Sequence, residues 1–301
     1  MQRDRIFSLF PEKLREALRQ MNVEEQGLQE IRIRVGRPVA AWCEGRERLS
    51  GRSVDRQELQ ELLAYLGNYS LYAYEDEIRQ GFLSLPGGHR VGLAGRVILE
   101  NGRIRTMTDI SSLNIRFARQ VAGCGDGVLP YLWQDGRLCH TLIASAPGKG
   151  KTTLLRDCIR QISNGSLTKP GMTVGLVDER SEIAGTCRGE PGSDVGLRTD
   201  VLDACPKAEG MMMLIRSMAP KVVAVDEIGG RDDADALRYA MNCGCVLLAT
   251  VHGGSMEELL RKPVLRELTG EGMFERYVFL RSKGPPGVVE RIADREGRTL
   301  C

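Results

Sequence analysis

The sequence predicts an α/β chain: a parallel sheet covered by helices in its second half, preceded by a smaller α+β domain. Three observations carry this reading. Apolar runs at residues 138–144, 173–177, 221–225 and 245–251 alternate with stretches of helical periodicity, the pattern of strands buried on both faces by flanking helices. Each run ends in polar residues, and in open sheets of this kind ligands bind beyond the carboxyl ends of the strands. The earlier residues mix short alternating runs, turn signals and amphipathic stretches, which suits a mixed domain.

In the first half, residues 11–21 place leucines and alanine at helical spacing with charges between them, which predicts a short amphipathic helix. Leu28, Ile31, Ile33 and Val35 are interrupted by Arg32 and Arg34, Gly36-Arg37-Pro38 breaks the run, and residues 39–43 resume it; this predicts strand, turn and strand. Residues 55–66 read as a helix with Leu59, Leu62, Leu63 and Leu66 on one face. A second helical stretch at 71–79 carries Tyr72, Tyr74 and Glu75-Asp76-Glu77. Its tyrosines read as packing groups, because no basic groove accompanies them as a base-stacking platform requires. Two strand-like runs flank Pro86-Gly87-Gly88-His89, a hairpin signal, and Arg90 and Arg96 project from it as residues of a solvated edge. Gly123-Cys124-Gly125-Asp126-Gly127 is dense in glycine. The boundary is placed within residues 120–130, giving domains 1–122 and 123–301.

The second half supplies the chemistry. Its first run leads into Ser145-Ala146-Pro147-Gly148-Lys149-Gly150-Lys151-Thr152-Thr153: a strand end, a glycine-containing loop and a helix that opens on Lys-Thr-Thr. That is the layout of a phosphate-binding loop, in which backbone N–H groups and a helix N-terminus face an anion, Lys151 reaches the outer phosphates and the Thr152 hydroxyl holds Mg2+. Against G-x-x-x-x-G-K-[ST] the match is Gly150, Lys151 and Thr152, with Ser145 where the first glycine would stand. A left-handed backbone there would make serine costly; otherwise Pro147 and Gly148 supply the turn. Lys149 is expected to face solvent. The third run, Val222-Val223-Ala224-Val225-Asp226-Glu227, presents Asp226 for Mg2+ at the end of a buried strand, with Glu227 next to it to orient and deprotonate the attacking water. The same carboxylates would also serve to cap a helix, but the phosphate loop upstream favours nucleotide hydrolysis.

The second run ends in Asp178-Glu179-Arg180-Ser181-Glu182. This further carboxylate pair either holds a metal-bound water, competes with Glu227 as the base through Glu179, or forms a structural ion pair with Arg180. The fourth run ends in Thr250-Val251-His252, where His252 either senses the γ-phosphate or links two strands by hydrogen bonds. Arg188, Arg198 and Arg216 lie between the second and third runs, and a multimeric nucleotide hydrolase often completes its site with an arginine from the neighbouring subunit. Arg216 sits in Gly210-Met211-Met212-Met213-Leu214-Ile215-Arg216-Ser217-Met218, a helix whose methionines read as core rather than partner surface.

A net charge of +2 argues against an overall basic field for bulk nucleic-acid or membrane binding. Only eight of the 42 basic residues are lysines, either a coding bias or a supply of guanidinium groups for phosphate. Nine cysteines without paired C-x-x-C spacing read as reduced thiols of a cytosolic protein, not as zinc ligands. The start shows no signal-peptide apolar region, and no apolar run approaches the ~18 residues of a membrane span. Membrane association is therefore expected to go through a partner.

The stretches Glu30-Ile31-Arg32-Ile33-Arg34-Val35-Gly36-Arg37-Pro38, Leu85-Pro86-Gly87-Gly88-His89-Arg90-Val91-Gly92-Leu93, Val177-Asp178-Glu179-Arg180-Ser181-Glu182-Ile183-Ala184-Gly185, Asp194-Val195-Gly196-Leu197-Arg198-Thr199-Asp200-Val201-Leu202-Asp203 and the methionine helix closely resemble the stage III sporulation protein AA family over nearly the whole chain. That family is similar in turn to the ATPases of type II and type IV secretion systems, whose Asp box and His box resemble the stretches at Asp178-Glu179 and at His252. The resemblance implies a RecA-like P-loop NTPase core behind a smaller N-terminal domain, assembled as a homo-hexamer and hydrolysing ATP with Mg2+. It implies a cytoplasmic protein, held at the inner face of a membrane by membrane proteins of a channel joining mother cell and forespore, with no insertion of its own. It also implies nucleotide bound between the domains, which turns Arg90 and Arg96 into candidates for phosphate contact. Ser145 with Lys149 departs from the more glycine-rich or smaller loop usual in the family. Two rival readings are a nucleic-acid-dependent RecA-like ATPase, against which near-neutral charge and the lack of an appended nucleic-acid module argue, and an assembly scaffold whose nucleotide stabilises an oligomer with little turnover.

Overall fold

The computed structural model describes residues 6–25, 27–67, 74–118, 120–187 and 189–301. Contacts divide the chain into two units, Met1–Ala118 and Arg119–Cys301, a division just ahead of the window at residues 120–130.

In the first unit α1 (Glu12–Gln20) is followed by β1 (Leu28–Arg34), β2 (Pro38–Cys43) and β3 (Arg46–Ser53). Next come α2 (Arg56–Leu66), α3 (Glu75–Arg79), β4 (Phe82–Leu85), β5 (His89–Glu100) and β6 (Arg103–Arg116). The strands form one antiparallel sheet in the order β3-β2-β1-β6-β5-β4. Alternation decides the buried face: Ile31 and Ile33 of β1 turn inward while Arg32 and Arg34 stay exposed, so the sheet and the apolar stripes of α1 and α2 share one core containing Leu14, Leu18, Leu59 and Leu62. The start of α2 is fixed by a capping box, in which Glu58 N–H donates to Asp55 at 2.8 Å and the Glu58 carboxylate accepts the Asp55 N–H at 3.2 Å. Tyr74 is buried in this core, as its packing role requires; Tyr72 lies outside the described residues.

The β4–β5 turn falls at the Pro-Gly-Gly signal. His89 opens β5, and its Nδ1 accepts the Ala118 N–H at 3.1 Å while its ring meets Phe117 edge-on at 5.4 Å. Burial lowers its pKa to about 4, which keeps the ring neutral and Nδ1 free to accept. Beyond Ala94 the β5–β6 hairpin leaves the sheet as an arm on which Val97, Leu99 and Ile104 are exposed. Neither β3 nor the first part of β6 is announced by the sequence, since most of these residues are solvated and carry no inside–outside alternation; only the end of β6 alternates, with Leu113 and Ile115 buried and Arg116 exposed.

In the second unit a two-residue pairing of β7 (Trp133–Gln134) with β8 (Arg137–Leu138) precedes β9 (Thr141–Ser145), α4 (Lys151–Asn164), β10 (Val174–Asp178) and β11 (Thr199–Asp203). Then follow α5 (Lys207–Met218), β12 (Val222–Val225), α6 (Arg231–Asn242), β13 (Val246–His252), α7 (Met256–Arg261), α8 (Pro263–Gly270), β14 (Arg276–Leu280) and β15 (Val289–Asp294). The sheet runs β11-β10-β12-β13-β9-β14-β15, parallel except for the closing β14–β15 pair. The four apolar runs of the sequence are β9, β10, β12 and β13. Ile143, Leu176, Ala224 and Leu248 face α4 residues Leu154, Leu155 and Ile159, whereas Leu142, Val177, Val223 and Ala249 pack with Leu214 of α5, Leu237 of α6 and Leu265 of α8. Burial on both faces explains why these strands read as unbroken apolar runs.

The methionine helix is α5, and its side chains divide: Met211 is fully buried, but Met213 and Met218 are about half exposed, at 55% and 48%. The expectation that the cluster belongs to the core therefore holds for Met211 and fails for those two, because the helix turns one face away from the sheet. All nine cysteines are free thiols. Among the described residues no helix is long and apolar enough to cross a membrane.

Candidate functional site

The strand order sets the carboxyl ends of β10, β12, β13 and β9 side by side. Register is tight across them: Val177 lies beside Val225, Val225 beside Ala249, and His252 beside Ser145. The residues just past these pairs are the polar strand endings.

β9 runs through Ser145 and then turns into the loop. Ser145 is fully buried, its Oγ donates to the Ala146 carbonyl at 2.8 Å, and its own carbonyl accepts the Gly253 N–H at 3.1 Å. It lies outside the left-handed region, which the loop enters only at Gly148 (φ 70°) and Gly150 (φ 91°). Serine in place of the first motif glycine thus carries no backbone cost. At Gly148 a Cβ would meet nothing within 4 Å, so the backbone is open to a ligand; at Gly150 it would approach Gly287 N to 2.9 Å. The segment between β14 and β15 packs there, with Gly287 N–H donating to the Lys149 carbonyl at 2.8 Å and Lys149 Nζ donating to the Gly284 carbonyl at 3.2 Å. Lys149 is partly exposed, and its ammonium is tethered by this segment.

α4 begins at Lys151, so the amides of Lys151, Thr152 and Thr153 open the helix without partners inside it and carry the positive end of its dipole. Thr152 Oγ1 donates to Asp226 Oδ2 at 2.9 Å, and Thr250 Oγ1 donates to Asp226 Oδ1. A hydroxyl and a carboxylate oxygen are the hard donors that Mg2+ accepts. Among the described residues no group of three or more His, Cys, Asp or Glu side chains is placed to hold a metal ion, so an ion at Thr152 and Asp226 would complete its shell with phosphate oxygens and water, as Mg2+ does beside nucleotides. The residues present fit Mg2+ with a phosphorylated ligand.

Glu227 adopts φ 57°, a left-handed conformation that costs a non-glycine residue about 1–3 kcal/mol. Three contacts hold it there. Its N–H donates to Thr250 Oγ1 at 2.8 Å, Arg180 Nη1 lies 2.7 Å from Oε2, and His252 Nε2 meets Oε1. On the far side of the imidazole, Nδ1 is 3.3 Å from Lys151 Nζ. A lysine ammonium can only donate, so Nδ1 accepts and the imidazole proton resides on Nε2, which donates to Glu227. His252 therefore links the lysine of the phosphate loop to the carboxylate after the acidic strand.

Asp178 and Glu179 do not form a second copy of this arrangement. Asp178 is 1% exposed and accepts N–H groups from Glu182, Ile183 and Ala184 at 2.8–2.9 Å; burial pushes its carboxyl above the usual range, with the three amides opposing. It shapes a turn and is closed to a metal-bound water. Glu179 pairs with Lys207 at the start of α5, and the ion pair expected between this carboxylate pair and Arg180 is made instead with Glu227.

The remaining arginines are scattered. Arg198 Nη1 donates to the Ser163 and Asn164 carbonyls at 2.9 and 3.4 Å, closing the end of α4. Arg216 is exposed on α5, and Arg188 lies outside the described residues. In the first unit, Arg90 stacks over Phe82 at 4.1 Å, and Arg96 is exposed beside the irregularity in β5. Sequence reasoning gave no task to Thr250, yet it binds both Asp226 and Glu227. The available signal was period two on β13, which puts Thr250 and His252 on one face.

The family model for sporulation stage III, protein AA, matches residues 1–300. Stage III sporulation protein AA of Bacillus subtilis (strain 168) is 46% identical over 298 residues, 98% of this chain and 96% of that protein. Among solved structures, the Legionella pneumophila ATPase DotB superposes with a TM-score of 0.58 at 16% identity, covering 87% of this chain and 73% of that one. The pilus retraction motor PilT with bound ADP gives 0.58 at 14% identity, covering 89% and 76%. At such identities the likeness is one of fold: an α/β, RecA-like core with a smaller α+β N-terminal part.

Proposed function

The chain belongs to the sporulation stage III protein AA family, and from that premise we propose that it is a Mg2+-dependent ATPase of the secretion-ATPase type, driving or assembling a mother cell–forespore channel during endospore formation. The observation that carries this reading is the convergence of Lys151, Thr152, Asp226, Glu227 and His252 on the ends of three adjacent parallel strands. The names of the solved relatives, an ATPase and a motor, support the same activity.

In this reading the amides of residues 148–153 and Lys151 bind the β- and γ-phosphates. Thr152 and Asp226 hold Mg2+, which when bound offsets charge on the phosphate oxygens. Glu227 orients the attacking water and accepts its proton, with Glu179 as the alternative base. His252 fixes the direction of the Glu227 carboxylate, and Thr250 fixes its backbone. Ser145, Ala146, Pro147, Lys149 and Thr153 shape the loop. Residues 1–122 form the smaller domain and residues 123–301 the ATPase domain; Arg90, Arg96 and Arg216 contribute phosphate contacts across domain or subunit boundaries in a homo-hexamer. Membrane proteins of the channel complex hold the protein at the cytoplasmic face.

Particle mass by light scattering, read with and without Mg·ATP alongside phosphate release, tests the assembly. A hexamer that turns over fits the motor. A hexamer that forms on ATP without releasing phosphate replaces it with the scaffold, and turnover stimulated by single-stranded DNA with a steep salt dependence replaces it with the nucleic-acid-dependent enzyme.

A further inference from the structure

Of the groups gathered at these strand ends, Arg180 has no part in the reading above. Its segment is nevertheless firmly built. Asp178 ties down three successive amides, and Arg156 of α4 donates to the carbonyls of Glu182, at 2.6 Å, and of Ile183. The turn is thereby fastened to the helix that begins at the phosphate loop, and Ser181 takes a left-handed conformation, φ 53°, within it. Arg180 reaches from this turn to Glu227 Oε2. Together with His252 and Lys151 it completes a row of groups with a cation at each end: Lys151, His252, Glu227, Arg180.

The Arg180 side chain is 62% exposed and that of Glu227 23%. An ion pair so open to water is weak and easily exchanged. A guanidinium also prefers the concentrated charge of a phosphoryl group to a single carboxylate, because phosphate offers more anionic acceptors in matching geometry. We propose that Arg180 is the residue by which this site distinguishes a nucleoside triphosphate from a diphosphate. It pairs with Glu227 when no terminal phosphate is present and moves to the γ-phosphoryl oxygens when one arrives, leaving Glu227 to the attacking water. This rests on the nucleotide-binding reading. It gives the Asp178 turn a purpose that the carboxylates alone did not suggest: Asp178 holds the turn that presents a cation.

The test is equilibrium binding of fluorescent ADP and of fluorescent adenylyl imidodiphosphate, both with Mg2+, to the full chain and to Arg180→Ala and Arg180→Lys. Circular dichroism of each variant verifies the fold. Arg180→Ala is expected to keep ADP affinity within about twofold and to lose about tenfold for the triphosphate analogue, the size of one charge-assisted hydrogen bond; Arg180→Lys recovers part of that loss. Equal weakening toward both nucleotides, or no change toward either, overturns the proposal while leaving the nucleotide site intact. An unaltered protein that binds neither nucleotide overturns both.

Discussion

Glu227→Gln is expected to bind Mg·ATP as the unaltered protein does and to lose hydrolysis by about 10²–10⁴-fold, the contribution of a positioned general base. The amide has the size of the carboxylate and keeps the backbone N–H bonded to Thr250 at 2.8 Å, so the left-handed turn after β12 survives. The Arg180 pair is lost, but pairs this exposed contribute about 0–1 kcal/mol, and folding should be little affected. What disappears is the anionic lone pair that takes a proton from water. Glu179→Gln is the control. Glu179 is engaged by Lys207 on α5, and its amide variant should turn over within about twofold of the unaltered rate. Nucleotide binding and phosphate release measured on both variants decide between them: a dead Glu179→Gln beside an active Glu227→Gln would exchange their roles.

Lys151→Ala is expected to remove both affinity and turnover, with a rate loss on the order of 10²–10³-fold or more, since a fixed cation beside the transferring phosphate acts where charge concentrates. Lys151 is 8% exposed and its ammonium touches the imidazole of His252. Replacing it removes a nearly buried charge from the head of α4 without opening the core under Leu154 and Leu155, so the variant should remain folded by circular dichroism. Undiminished ATP turnover in this variant would remove the phosphate loop from the mechanism.

Much of the second unit was legible because its signals are local. The loop from Ser145 to Thr153 and the run into Asp226-Glu227 are each contained within a few residues, and strands buried on both faces stand out against amphipathic helices. The edge strand β11 was not read because its two aspartates interrupt the apolar residues and none of its residues is fully buried; β14 and β15 were not read either, although Tyr277-Val278-Phe279-Leu280 of β14 is an apolar run buried like those of the four central strands. The Arg180–Glu227 pair was invisible for another reason: it depends on β10 lying directly beside β12, and no motif records strand adjacency. The Asp178-Glu179 doublet looked like a copy of Asp226-Glu227, but the chain after Asp178 curls back and donates three amides to it, whereas Asp226 keeps its oxygens for Thr152 and Thr250. The tether on Lys149 was not foreseen because it arrives from the β14–β15 connection, far along the chain.

Phosphate release from ATP by the protein, followed in Mg2+ and then after chelation with EDTA, bears most directly on whether this site is a nucleotide hydrolase. Steady release that stops on chelation and resumes when Mg2+ is restored is the expected result, since Thr152 and Asp226 supply too few ligands to retain the ion by themselves. No release above the spontaneous rate in Mg2+, from protein that binds ATP and assembles, would contradict it.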